Sequence, residues 1–178
     1  MTCIVGIAHN GKVYMGGDSC GSSYTWQTVG NPKVFRVDNR FLIGCTTSFR
    51  MIDILRFELE VGEQAADVSD DEFIRTTFIR AVRDCFKEHG WLKGSTDKNE
   101  GGNFLLGYRG TLYEVQDDFS VLNSPKTGMA VGSGESPARG SLHTTREDSD
   151  AQKRVIQALE AAEAVAIGVK APFLVRSI

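Results

Sequence analysis

Thr2-Cys3-Ile4-Val5-Gly6-Ile7 follows the initial Met1, and Lys12-Val13-Tyr14-Met15-Gly16-Gly17-Asp18 follows the pair Asn10-Gly11. These eighteen residues decide the fold. An apolar run starts at once, Asn-Gly supplies the two residues that tolerate positive φ in a tight hairpin turn, and a second run ends in two glycines and an aspartate. The spacing predicts two antiparallel strands, over residues 3–8 and 12–17. It also puts a small hydroxyl residue at the head of a buried strand. With Met1 removed, Thr2 carries a nucleophilic hydroxyl and a free α-amine, whose unperturbed pKa of about 7.7–8.0 makes it a usable base at neutral pH. Nucleophile and base then share one residue, the threonine form of an activated nucleophile. The branched Cβ restricts χ1, so the hydroxyl is aimed in advance.

Outward from this hairpin, residues 19–32 are rich in Gly, Ser, Thr and Asn and read as a loop or irregular strand. Lys33 to Val37 and Arg40 to Cys45, joined at Asp38-Asn39, form a second hairpin. The period then changes. Ser48 caps a helix whose apolar residues Met51, Ile52, Leu55 and Leu59 recur at three and four, with its end at Val61-Gly62. Ser69-Asp70-Asp71-Glu72 is a capping box opening a second helix with Phe73, Ile74, Phe78, Val82 and Cys85 on one face, ending near Gly90. Residues 93–102 read as a polar surface loop. Strands resume at Asn103–Tyr108 and Thr111–Gln116 around an Arg109-Gly110 turn, and again at Gly128–Gly132. A helix from about Ala138, another over Glu147–Val165 and a final strand from Pro172 to Ile178 complete the chain. Strands arranged in blocks, not alternating with helices, argue for antiparallel sheets. The expected fold is α+β, a four-layer α-β-β-α sandwich with helix pairs outside, as a single domain over residues 1–178.

Composition removes several function classes. A net charge of -3 with 24% charged residues gives no electrostatic footprint for nucleic acid. No apolar run is long enough for a membrane span and no signal peptide is visible, so a cytoplasmic protein is expected. Cys3, Cys20, Cys45 and Cys85 form no paired motif and read as free thiols, and His9, His89 and His143 have no metal-ligand spacing. No cofactor is expected. Gly132-Ser133-Gly134 lacks the residues of a phosphate-binding loop, and Val131 stands where a nucleophile elbow needs its first glycine. Ser133 itself could serve as a helix N-cap. Cys3, next to Thr2, should point to the opposite face of an extended strand.

Taken in order, Thr2-Cys3-Ile4-Val5-Gly6, the Gly11 turn, Gly17-Asp18, the strand from Lys33, the Gly44 strand end before a helix, and Gly132-Ser133-Gly134 before another resemble the proteasome β-subunit family. That family includes the peptidase subunit of the bacterial ATP-dependent heat-shock protease. The resemblance spans nearly the whole chain. It implies an N-terminal-nucleophile hydrolase cutting peptide bonds of unfolded polypeptide, self-associated into a closed ring and served by an ATPase unfoldase. In that reading Thr2 is the nucleophile and Lys33 supplies a fixed positive charge that favours its alkoxide-like state. Asp18 holds the lysine, and Ser133 lies near the amine. The backbone N–H of Thr47, after the Gly44 strand, is the oxyanion donor.

Two positions depart from the family pattern. Thr47 stands where a glycine is usual, and Ala164-Val165-Ala166-Ile167-Gly168 replaces a stretch that usually carries an aspartate followed by Ser-Gly. Three readings therefore stay open: a threonine peptidase exposed by loss of Met1, a ring subunit that keeps the fold without turnover, and a hydrolase of small amides.

Overall fold

The computed structural model describes residues 2–22, 26–28, 30–92 and 101–178. Met1 and most of the expected 93–102 loop lie outside the described residues, as do parts of the 19–32 stretch. In chain order the strands are β1 (Cys3–His9), β2 (Lys12–Gly17), β3 (Cys20–Ser22), β4 (Trp26–Thr28), β5 (Val34–Val37), β6 (Phe41–Cys45), β7 (Phe104–Tyr108), β8 (Thr111–Val115), β9 (Val121–Asn123), β10 (Met129–Gly132) and β11 (Leu174–Ser177). The helices are α1 (Phe49–Phe57), α2 (Asp70–Phe73), α3 (Ile79–Glu88), α4 (Glu135–Thr144) and α5 (Ala151–Val165), with a π-helical turn (Ile74–Phe78) joining α2 to α3.

Hairpin turns set the pairing. Asn10 and Gly11 both have positive φ, as do Asp38 and Asn39, and Arg109 and Gly110. Each pair gives a twist that matches the flanking strands. One antiparallel sheet has the order β10-β1-β2-β11 and the other β5-β6-β7-β8-β9, while β3 and β4 form a separate two-stranded ribbon. The α+β sandwich expected from the sequence is the observed fold.

Three apolar cores hold the four layers together. Phe41, Phe73, Phe78, Phe104 and Val82 pack between the larger sheet and α1 to α3. Val5, Ala158, Leu159 and Ala162 pack between the smaller sheet and α4 and α5. Between the sheets lie Ile4, Met15, Val34, Leu42, Leu105 and Leu112. Each fully buried large side chain contributes roughly 1.5–3 kcal/mol over leaving it in water. The sheets approach so closely that a Cβ on Gly44 would stand 2.6 Å from both Ile4 and Met15, so only glycine fits there.

Strand alternation places the chain's beginning. Cys3, Val5 and Ile7 face the α4–α5 layer, whereas Ile4 faces the space between the sheets. Thr2 has the parity of Ile4. It therefore opens toward the head of β5, where Lys33 stands.

Several boundaries differ from the sequence-based expectation. The first helix stops at Phe57, with Glu58 as C-cap, short of Val61-Gly62. The next has its Ser69 cap, whose Oγ accepts from Glu72 N at 3.2 Å, but passes through the π turn on its way to His89. The helix expected from Ala138 begins at Glu135 with Gly134 as N-cap, so Ser133 does not cap it. The last helix begins at Ala151, not Glu147, because the Asp150 carboxylate accepts from Lys153 N at 2.9 Å and fixes the start there. The short strands β3, β4 and β9 lie within stretches too polar for an apolar period to mark them.

Candidate active site

Three turns converge at the end of the sandwich where β1 begins. Asp18 directly follows β2, Lys33 directly precedes β5, and Ser133 follows β10. The register Ile4↔Gly17 and Cys3↔Gly132 brings the β2 and β10 ends beside residue 2. Cys45 N donates to Lys33 O at 3.0 Å, which fixes the lysine backbone to β6.

The polar groups are buried and closely matched. Thr2, Asp18 and Lys33 are only 4%, 2% and 3% exposed. Lys33 Nζ donates to Thr2 Oγ1 at 2.8 Å, to the Cys20 carbonyl at 2.7 Å, and to both Asp18 oxygens at 3.0 Å. An ammonium has three protons, so one is shared across the carboxylate and none is idle. Asp18 is held in turn by backbone: its Oδ1 accepts from Cys3 N at 2.9 Å and its Oδ2 from Cys20 N at 2.8 Å. A buried ion pair of this kind is tolerable only because every polar atom has a partner. Its net effect is to fix a positive charge against one hydroxyl oxygen.

Ser133 grips the backbone of residue 2. Its Oγ accepts from Thr2 N at 3.1 Å and donates to Thr2 O at 3.3 Å, and Gly134 N also donates to Thr2 O at 3.4 Å. The structure thus brings Thr2, Asp18, Lys33 and Ser133 into one hydrogen-bonded group. Thr47 is not bonded to that group. It lines the same pocket, of about 260 Å³, together with Thr2, Cys20, Lys33, Thr46, Ser48, Phe49 and Ile52. Just beyond it, Ser48 Oγ accepts from Arg50 N at 3.2 Å and starts α1 at the pocket wall.

Cys3 takes no part in this pocket. It packs on the α4–α5 side, and its thiol is pushed up to about 12, chiefly by burial and then by Asp18, with Lys33 opposing. A thiol so reluctant to ionise is a poor nucleophile. All four cysteines are free and buried.

The Ala164–Gly168 segment contributes no carboxylate, and Val165 and Ile167 are exposed. The segment after it is tied to the site by Ser19, whose N donates to Lys170 O at 2.9 Å and whose Oγ donates to Pro172 O at 2.6 Å. Sequence reasoning missed the Cys20 carbonyl as a lysine acceptor and Phe49 and Ile52 as pocket walls. The carbonyl has no side-chain signal. The two walls were legible in principle, because a helix capped by Ser48 begins immediately after Thr47.

No family model and no curated protein sequence matches the chain. Solved structures do match in fold. Thiobacillus denitrificans BPH in complex with epoxomicin is 18% identical and superposes with a TM-score of 0.83 over 99% of this chain and 97% of that one. Eukaryotic HslV from Trypanosoma brucei is 18% identical, with a TM-score of 0.71 over 98% of each chain. The Anbu (Gly-1) mutant from Hyphomicrobium sp. strain MC1 is 13% identical, with a TM-score of 0.69 over 98% of this chain and 80% of that one. The fold is that of HslV-like, proteasome-type peptidase subunits.

Proposed function

We propose that this proteasome-type sandwich is a threonine peptidase that hydrolyses peptide bonds of unfolded polypeptide from Thr2, once Met1 has been removed. The observation that carries the reading is the 2.8 Å bond from a buried, carboxylate-held lysine to the Thr2 hydroxyl oxygen. In the free-terminus state the Thr2 hydroxyl gives its proton to the α-amine as Oγ1 attacks the substrate carbonyl carbon. The Lys33 ammonium stabilises the developing alkoxide. The carbonyl oxygen becomes an oxyanion, for which the Thr47 backbone N–H is the proposed donor. Collapse of the tetrahedral species breaks the C–N bond, and the leaving amine takes the proton from the threonine amine. Water then cleaves the threonine ester by the same route, returning Thr2. Ser133, which already bonds N and O of residue 2, orients the amine during both halves.

The missing carboxylate in Ala164–Gly168 favours one alternative, a ring subunit that has the fold without turnover. The deciding experiment is hydrolysis of fluorogenic peptides and of an unfolded protein by the full chain and by Thr2→Ala. The peptidase reading expects turnover in the first and loss of at least about a thousandfold in the second. A wild-type chain with a free Thr2 that shows no turnover supports the inactive subunit. The wider setting belongs to the same proposal: a closed ring that encloses the sites, fed by an ATPase unfoldase. Light scattering that finds only monomer at micromolar concentration contradicts the ring.

A further inference from the structure

The residue that departs from the family pattern at the pocket edge makes a bond that a glycine could not make. Thr47 Oγ1 accepts from Asn103 N at 3.2 Å. Its neighbour Thr46 donates to Asn103 O twice, from Oγ1 at 3.0 Å and from N at 3.3 Å. The β6–β7 ladder, whose last register pair is Cys45↔Phe104, is thereby extended by one more rung, closed by two hydroxyls. The backbone leading into β7 has made room for them. Gly102 has φ +125°, and a Cβ there would meet Thr47 Oγ1 and Met51 Sδ, each at 2.8 Å. A side chain at 47 and a bare position at 102 fit each other.

We infer that the Thr47 hydroxyl is a positioning group. By taking the Asn103 N–H it fixes the peptide plane at the end of β6. Among the described residues the Thr47 N–H itself has no acceptor, and Thr47 lines the pocket that holds Thr2 and Lys33. The clip holds this N–H ready for the oxyanion of a substrate acylating Thr2. A free glycine loop would have to be ordered during the reaction, whereas a clipped threonine is ordered beforehand, and preset donors are the effective ones. This inference rests on the peptidase reading given above.

The test uses the full chain with Met1 removed, as wild type, Thr47→Val and Thr47→Ser, with kcat and KM measured on one fluorogenic peptide. Valine keeps the shape and removes the acceptor. Its kcat is expected to fall roughly ten- to a hundredfold while KM stays within about twofold, because the lost contact acts in the transition state. Thr47→Ser, which restores the acceptor, should recover most of the rate. Valine turning over at the wild-type kcat, a rise in KM alone, or serine as slow as valine would each overturn the inference. Treatment of all three proteins with a peptide epoxyketone separates the two levels. A Thr2 adduct in each shows that the nucleophile is intact and the fault lies with the clip, whereas no adduct and no turnover in the wild type defeats the peptidase reading and this one with it.

Discussion

Lys33 and Asp18 are each sealed from water, yet together they are nearly balanced, and this makes their energetics unusual for a charged pair. Removing one partner leaves a buried charge without compensation, which costs about 3–5 kcal/mol. Lys33→Met and Asp18→Asn should each lower the unfolding free energy obtained from urea titration by that amount. The double variant should be less destabilised than the sum of the two, since neither charge then remains, and all three should lose peptide turnover. Equal and additive losses in a double-mutant cycle would mean that the pair does not act as a unit. At this scale Thr2 was legible from its own hydroxyl and amine, whereas Asp18, Lys33 and Ser133 were singled out only by what the resemblance implies. The acceptors on Cys20 and Asn103 were not legible, because backbone carbonyls and amides exist at every position and only the fold selects among them.

At the scale of elements, the pocket beside Thr2 is made by the first turn of α1 laid against the end of β6. Among the described residues that line it, the one cation, Lys33, is held by Asp18, so they offer no unpaired charge to a substrate. Phe49 is half-buried, with its ring centroid 6.0 Å from Lys33 Nζ, and Ile52 behind it is buried. Peptides with an uncharged apolar side chain before the scissile bond should be preferred over arginine or aspartate. Phe49→Ala should shift the kcat/KM ratio from leucine toward tryptophan by roughly tenfold or more, the usual value of added space in an apolar pocket. An unchanged ratio would show that Phe49 is not the wall that selects. The elements themselves were read well where a turn had a chemical signature. Asn10-Gly11 and Asp38-Asn39 gave their hairpins because both residues of each pair accept positive φ. The π turn at Ile74–Phe78 keeps the apolar face that a plain helix would show, so the sequence carries no trace of it. There, Arg75 Nη1 reaches the Val121 carbonyl at 2.6 Å, Nη2 bonds Asn123 Oδ1, and the turn is tied to β9 by contacts distant in sequence.

Across the whole molecule the buried thiols make stability depend on pH in the alkaline range. Burial pushes the Cys3 thiol from its ordinary 9.0 up to about 12, and raises Cys45 as well. The folded chain therefore keeps protons that the unfolded chain releases above about pH 9. The stabilisation is complete below that pH and is lost as pH rises, for Cys3 through to about 12. The loss is about 1.4 kcal/mol per pH unit for each thiol. The unfolding free energy from denaturant titrations should be level up to about pH 8.5 and fall between about pH 9.5 and about pH 10.5; Cys3→Ala with Cys45→Ala should make that fall shallower, with Cys85, whose thiol burial pushes up to about 11, keeping a share of it. A slope that ignores the substitutions would assign the alkaline sensitivity to other groups. The four-layer order was legible because strands came in blocks and helices in pairs, each pair with one apolar face to cover. The exposed apolar residues Phe57, Leu122, Val165 and Ile167 follow no regular period in the sequence.

The central claim is that the amine and hydroxyl of Thr2 act together as base and nucleophile. Intact-mass and peptide-mapping spectrometry of the full chain treated with a peptide epoxyketone, a reagent that needs both groups on one residue, tests it most directly. The expected result is a chain beginning at Thr2 with one adduct on its N-terminal peptide, absent in Thr2→Ala. A retained Met1, or an adduct on any other residue, would contradict it.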